Sequence, residues 1–324
     1  MIVNYPRMRR RVKGWPDDLD TALEFSSANP FSISAPKNWD GKLEYTNGSG
    51  WKMWDGSAIA SGEIENNHYI YLRGTGNSKI TGTTSSSVKW SIIGTNIACN
   101  GDIDLLLDYS TVKNGNRPAM ASYCYSNMFQ GCTSLTAAPS LPATTLANNC
   151  YNSMFQGCTS LTAAPSLPAT TLANNCYNSM FQGCTSLTAA PSLPATTLNT
   201  NCYYYMFYGC TSLTTAPSLP ATTLANNCYY SMFQGCTSLT TVPSLPATTL
   251  ANNCYNSMFY LCTKIKLSTT ASGTYTKSYR IPQNGTGTTA SGALVYMFGN
   301  TGGTFNGAPK INTTYYLDES NTIV

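Results

Sequence analysis

The chain has 324 residues, enough for one large domain or two ordinary ones. Only 10% of them are charged, but a hydrophobic content of 42% and 22 tyrosines argue for a packed protein with a neutral polar surface rather than for disorder. No stretch approaches the roughly 18 consecutive apolar residues that a membrane-spanning helix needs, so no membrane span is predicted.

Residues 1–21 form a basic N-terminal arm. Five basic residues stand within seven positions: Arg7, Arg9, Arg10, Arg11 and Lys13. No apolar run follows them, so the arm does not have the pattern of a secretory signal peptide. It can be interpreted as a solvated tail, as a nucleic-acid arm, or as a docking peptide. We favour the docking peptide, in which arginines 9–11 lie against an acidic partner and Tyr5 and Trp15 act as anchors.

Residues 22–96 are predicted to be a β-rich domain. The stretches NHYIYLRG and SVKWSIIG have the composition of strands, and KLEYTNGSGWKMW has that of a hairpin. The tryptophans are expected in its core, although Trp51 and Trp54 would form a sugar-binding platform if both were exposed. The domain is expected to cap the open end of the repeats that follow.

Residues 97–267 hold a lead-in and six copies of a 26-residue unit, the first reading CYSNMFQGCTSLTAAPSLPATTLANN. The units begin at Cys124, Cys150, Cys176, Cys202, Cys228 and Cys254. In each of the five complete units, a half without proline places apolar residues at helical spacing, and a half with two prolines carries β-branched residues; the sixth unit is truncated. We therefore predict one short helix and one short strand per unit, stacked into an α/β, leucine-rich-repeat-like solenoid with the β-rich domain as its N-terminal cap.

The string MFQGCTSLT…LPATTLANNCY resembles the BspA-like leucine-rich repeats of bacterial surface proteins, and the resemblance covers residues 124–267. It implies surface display, adhesion and binding of a protein or a glycan. Two prolines and a second cysteine per unit depart from the common pattern, which leaves the strand boundaries open. The block YMFGNTGGTF at 296–305 looks like a degenerate last coil, so residues 268–324 are predicted to hold that coil and a C-terminal cap.

Between Arg117 and Lys264 there is no acidic, basic or histidine residue. General acid–base catalysis needs a titratable group beside the reacting proton, so no catalytic residue is predicted in the repeats. A charge-free surface also cannot bind nucleic acid by neutralising its phosphates. The candidates for a catalytic site outside the repeats are His68, Asp102, Asp104 and Asp108. They form no nucleophile–base or metal constellation, and an enzyme is not predicted.

Twelve of the thirteen cysteines fall into two columns, spaced C-x7-C within each unit. This is not the spacing of a zinc site, and no histidine or carboxylate is at hand to complete one, so neither a metal nor a cofactor is predicted. Cysteines of stacked units would lie close to disulfide distance. Buried thiols and a ladder of disulfides both remain open, and we favour the thiols.

Binding through the repeats must rely on tyrosine, amide, hydroxyl and backbone groups. The units differ mainly at their third, fourth and seventh positions, and the fourth unit is the richest in tyrosine. The candidate ligand-binding residues on this variable face are Tyr204, Tyr205, Tyr208 and Tyr230. Thr215 and Thr241, which vary in the predicted strand, are two further candidates. An outer face that tolerates any polar residue would explain the same variation.

Three functions are compatible with these features. We favour a structural appendage on the surface of a bacteriophage virion, which contacts a host-surface glycan or protein and docks on another virion protein through its arm. The alternative is an adhesin on a bacterial cell surface, and the third, an enzyme, lacks a constellation to support it. A homo-oligomer, in particular a trimer, is an expectation taken from fibre-like proteins.

Overall fold

The computed structural model describes residues 14–82 and 87–324. Tyr5 and arginines 9–11 of the predicted docking arm lie outside the described residues. Trp15 lies inside them, and its ring makes an edge-to-face contact with that of Tyr71 at 5.9 Å between centroids. This anchor therefore packs on the N-terminal domain of its own chain.

The regular elements are short, and most of them belong to the N-terminal domain. The strands are β1 (Leu23–Ser27), β2 (Ser32–Ser34), β3 (Lys42–Thr46), β4 (Lys52–Met53), β5 (Ile59–Ala60), β6 (Gly62–Ile64), β7 (Asn67–Thr75), β8 (Ser91–Ile93), β9 (Ile97–Asn100), β10 (Leu135–Ala137), β11 (Thr241–Val242), β12 (Leu267–Ser268), β13 (Tyr275–Arg280), β14 (Thr314–Asp318) and β15 (Thr322–Ile323). A 3-10 turn spans Leu19–Thr21, and α1, the one α-helix of the described residues, spans Leu105–Lys113.

Two sheets build the N-terminal domain. The larger has the order β10-β9-β1-β7-β3-β4, with β6 also paired to β7, and the smaller has the order β5-β2-β8. Tryptophans form part of its core: Trp39 stacks on Trp54, Trp54 meets Trp90 edge to face, and Trp90 meets Phe129 of the first repeat unit. Trp54 is only 3% exposed, so the alternative of an exposed Trp51–Trp54 platform is wrong.

The predicted α/β, leucine-rich-repeat-like solenoid is wrong, because the repeats contain no helix and almost no strand. The only strands within residues 124–262 are the short β10 and β11. In the half where a helix was predicted, every fourth residue has a left-handed backbone, as at Asn149, Ser153 and Gly157, with φ of 57°, 52° and 73°. A left-handed residue interrupts an α-helix, so this half is a series of four-residue turns.

Backbone hydrogen bonds show why the turns replace the helix. Alternate N–H groups close a turn onto the carbonyl three residues earlier, as from Met154 to Tyr151. The N–H groups between them donate to the next unit, five from each unit, as from Phe155 to Met180 at 3.0 Å. Because every such N–H finds an acceptor, the stacked turns satisfy the backbone as fully as a helix would.

Side chains repeat in columns along the stack. The Phe rings lie 5.6 Å apart in most steps, as between Phe155 and Phe181, and a second column of buried tyrosines runs from Tyr125 to Tyr255. All thirteen cysteines are buried free thiols, and burial raises the pKa of both Cys thiols of each complete unit. In one column, Sγ donates to a carbonyl of the preceding unit, as from Cys158 to Phe129. The structure therefore contains thiols and no disulfide ladder.

The two ends of the stack differ. At the start, N–H groups of Ile80, Thr81 and Trp90 donate to carbonyls of the first unit. At the C-terminal end, residues 291–300 repeat the turn geometry, and their carbonyls accept hydrogen bonds from the five alternate N–H groups of residues 253–261. We call them the last coil. None of the described residues accepts a hydrogen bond from the N–H groups of Gly292, Leu294 and Tyr296.

The C-terminal segment packs beside the later units. Strands β12, β14 and β13 form a three-stranded sheet in that order, and β15 pairs in parallel with β11. The side chain of Asn321 donates to the carbonyls of Thr240 and Lys264, and its Oδ1 accepts from the N–H of Lys266. The chain end therefore fastens onto the fifth and sixth units.

Candidate ligand-binding face

The third, fourth and seventh positions of all units lie on one face of the stack, which we call the variable face. Its side chains are mostly half-buried, because each lies against its counterpart in the next unit. The first three units place serine, asparagine and glutamine there. From the fourth unit to the last coil the face carries six tyrosines, the tyrosine patch: Tyr204, Tyr205, Tyr208, Tyr230, Tyr260 and Tyr296.

The predicted tyrosines are in mutual contact. Tyr204 stacks on Tyr230 of the next unit, with ring centroids 4.9 Å apart and an angle of 18° between the planes. Tyr205 meets Tyr204, Tyr208 and Tyr230 edge to face, at 4.3, 5.3 and 5.7 Å. Such contacts hold the rings in fixed orientations, so the patch is organised without a ligand.

Two further tyrosines extend the patch towards the last coil. Tyr260 meets Tyr296 edge to face at 6.4 Å, and its hydroxyl accepts a hydrogen bond from Asn300 Nδ2 at 2.8 Å. Tyr296 is 63% exposed, which makes it the most open ring of the patch. A shallow depression of about 440 Å³ lies between the two groups of rings. It is lined by Tyr205, Tyr230, Ser231, Gln234, Ser257, Tyr260 and Tyr296.

Three bulky residues in or beside the tyrosine patch have a left-handed backbone, and a fourth, Tyr123 with φ of 61°, lies before the first unit. Tyr205 has φ of 55°, at a position where the other units have serine or asparagine, and Tyr296 has φ of 52°. Leu261 has φ of 63°, where the other five units have glycine, and its side chain is 39% exposed. A bulky residue in the left-handed region costs about 1–2 kcal/mol. Because smaller residues make the same turns in other units, the fold does not require these side chains.

The face is electrically neutral. The repeats contribute no charged group between Arg117 and Lys264, and none of the residues that line the depression is charged. Burial and the adjacent hydroxyl of Tyr205 raise the pKa of Tyr204, so the phenol stays protonated at any physiological pH. The patch can therefore offer aromatic faces, hydroxyls and amides, but no ionic contact.

On the first three units, the face carries a ladder of amides. Gln130 Nε2 donates to Gln156 Oε1, and Gln156 Nε2 donates to Gln182 Oε1 at 2.9 Å. In the next unit, the equivalent seventh position is Tyr208, a member of the patch. The amide ladder therefore runs up to the tyrosine patch along one column.

The two predicted threonines do not belong to this face. Thr215 is exposed and forms an isolated parallel bridge with Ala189. Thr241 is only 9% exposed, because its strand, β11, is paired with β15. The Thr241 hydroxyl accepts a hydrogen bond from the N–H of Ala216. Tyr203, which adjoins the patch in sequence, is buried in the inner tyrosine column at 1% exposure.

The acidic residues before the repeats make structural contacts. Arg117 forms ion pairs with both Asp102 and Asp104, and the Tyr125 hydroxyl, the first of the inner column, donates to Asp104 at 3.1 Å. Burial raises the pKa of Asp104 to about 6. The Asp108 carboxylate accepts from the N–H groups of Gly76 and Thr111.

The remaining catalytic candidate is His68, whose Nδ1 is buried and has no partner among the described residues. It stands in β7 opposite Ser27 of β1. Within the described residues, no group of three or more histidine, cysteine and acidic side chains is placed to hold a metal ion.

The comparisons with known proteins found no matching family model, no matching curated protein and no matching solved structure. In the part of the chain that the structure describes, no helix is long and apolar enough to cross a membrane. Function must therefore be inferred from the geometry of the variable face.

Proposed function

We propose that this protein is a non-enzymatic surface protein that binds a neutral host-surface glycan through the tyrosine patch. Its place on a virion, as a tail or head appendage, or alternatively on a bacterial cell, is proposed from the sequence features and from the resemblance to bacterial surface repeats. The strained backbone under Tyr205, Leu261 and Tyr296 is the observation that carries the binding role. Strain that the fold does not need is typical of functional sites.

The chemistry of the patch favours a sugar over other ligands. Aromatic rings contact the apolar faces of pyranose rings, and phenol and amide groups pair with hydroxyls. A charged polymer would leave its charges uncompensated at a site without ionic groups. A shallow depression with fixed rings is also wide enough for part of a chain, whereas a small metabolite needs a deeper pocket that buries most of its surface.

The repeats supply variants that preserve the backbone. We expect Tyr205→Ser and Tyr230→Asn, which introduce residues that other units carry at these positions, to weaken binding on an array of neutral and charged glycans by about tenfold or more. Tyr275→Ser, a half-buried tyrosine of β13 outside the patch, is the matched control and should bind like the unaltered protein.

Two results would overturn the proposal. One is unchanged binding by both patch variants. The other is an array on which no neutral glycan binds, while attachment to host cells is abolished by protease and survives periodate oxidation of sugars. That second result would assign the patch to a protein receptor.

A further inference from the structure

We propose that the binding site continues from the tyrosine patch along the amide ladder, so that its ligand is a long neutral polysaccharide chain that lies along the stacking direction. This inference rests on the proposed function and specifies its ligand class. The tyrosine patch would hold one end of the bound segment, and the amides of the first three units would hold the rest.

Continuity of one column is the first support. The seventh positions read Gln130, Gln156, Gln182, Tyr208, Gln234 and Tyr260 from the first unit to the sixth. All six side chains are half-buried on the same face, and Gln234 and Tyr260 line the depression in the patch. No charged residue interrupts the column. A ligand that leaves the patch along the stack therefore meets amides next.

Unused hydrogen-bonding capacity is the second support. A glutamine amide has two N–H donors and a carbonyl oxygen with two acceptor sites. In the ladder, Gln156 uses one donor towards Gln182 and one acceptor towards Gln130. One donor and one acceptor therefore remain on Gln156, and at least as many remain on Gln130 and Gln182. Because a sugar hydroxyl both donates and accepts, it matches this remaining pair, and the ladder keeps the amide from rotating away.

Regular spacing is the third support. Along the phenylalanine column, the six steps from the first unit to the last coil span about 33 Å. Along that length, equivalent groups recur at each step, as shown by Phe rings that repeat at 5.6 Å. A polymer of identical sugars is a ligand that can repeat its own contacts in the same way.

The test uses the full chain and a neutral glycan that it binds on the array, prepared as a series from disaccharide to octasaccharide. We expect affinity to rise with length by about tenfold in all, because each added contact contributes a fraction of a hydrogen bond's net free energy. The triple variant Gln130→Met, Gln156→Met and Gln182→Met keeps side-chain length and removes the amides. It should bind the disaccharide normally and lose the gain with length.

The outcomes separate this inference from the proposed function. If the methionine variant keeps the full gain with length, or if the octasaccharide binds no better than the disaccharide, the extended site is wrong while the patch stands. If Tyr205→Ser leaves the affinity for the disaccharide unchanged, the patch itself is wrong. A single methionine variant, Gln156→Met, guards against misfolding of the triple variant and should show part of the same loss.

Discussion

The N-terminal domain and the stack of repeats are held together by different chemistry. In the domain, contacts are individual: Arg73 pairs with Asp18 and Glu44 while its guanidinium lies 3.9 Å from the centre of the Trp51 ring. In the stack, the same contacts recur in every unit, and no ionic group takes part. A residue of the stack therefore has equivalents that serve as its own controls, and a residue of the domain does not.

Repetition also shows which side chains the fold requires. In the five complete units, the cysteine, methionine and phenylalanine positions, which face the interior, do not vary. Tyrosines replace serine, asparagine or glutamine only on the variable face. Since the turns stay the same where the side chains change, the tyrosine patch cannot be explained by packing alone. Three tests, each made with one or two substitutions, examine this contrast between the stack and the N-terminal domain.

The largest effect is expected for the phenylalanine column. Phe155→Ala and Phe181→Ala should each lower the free energy of unfolding by about 3–5 kcal/mol, because each removes a fully buried ring. The two losses should agree closely, since both rings stand between neighbours at 5.6 Å. Urea unfolding of the two variants and of the unaltered protein measures both losses. Losses that differ by more than about 1 kcal/mol would contradict the equivalence of the units.

An intermediate effect is expected where the two regions meet. Burial is the main cause that raises the pKa of Asp104 from 3.8 to about 6, so the folded protein binds this proton more tightly than the unfolded chain does. The free energy of unfolding should therefore fall as pH rises through that window, by at most about 3 kcal/mol. Asp104→Asn keeps an acceptor for the Tyr125 hydroxyl and should remove this fall. Parallel pH profiles for the two proteins would show that Asp104 is not responsible.

The smallest effect is expected at the eighth position of the units, which is glycine in five units and Leu261 in the sixth. Leu261→Gly should raise the free energy of unfolding by about 1 kcal/mol, because glycine adopts the left-handed backbone without strain. The reverse change, Gly209→Leu, should lower it by a similar amount. A Cβ at Gly209 would have no neighbour within 4 Å, so its cost is conformational and not steric. Thermal unfolding of both variants, with opposite shifts expected, checks the sign.

The 26-residue repeat is visible in the sequence itself, but the conformation predicted within a unit was wrong. Apolar residues at 150, 154 and 158 are spaced by four, which fits one side of a helix and fits four-residue turns equally well. The signal that favours turns was the asparagine or serine that precedes these apolar residues, as at Asn149 and Ser153. Asparagine tolerates a left-handed backbone better than most residues do. The predicted strands failed because most unit-to-unit contacts in the proline-rich half are single bridges.

The candidate site was predicted in part. Tyr204, Tyr205, Tyr208 and Tyr230 are brought together, whereas Tyr260 and Tyr296 were missed. Alignment of YMFG at 296–299 with SMFY at 257–260 places Tyr296 in the fourth position, so it was available from the sequence. The burial of Thr241 could not be predicted from the sequence, because it depends on pairing with Thr322, which lies 81 residues further along the chain.

In the turn half of the units, the backbone hydrogen bonds between units all point the same way, whereas threonine N–H groups of the proline-rich half, such as that of Thr170, donate back to the preceding unit. Each unit directs five N–H groups towards the C-terminal end of the stack, where those of Gly292, Leu294 and Tyr296 are left open, and carbonyls point back towards the N-terminal domain. Aligned peptide dipoles add along an axis, as they do in an α-helix, although here the sense relative to chain direction is reversed. A segment without a single ionic group therefore has a polarised electric field. Its positive pole is the last coil, beside Tyr296 of the tyrosine patch.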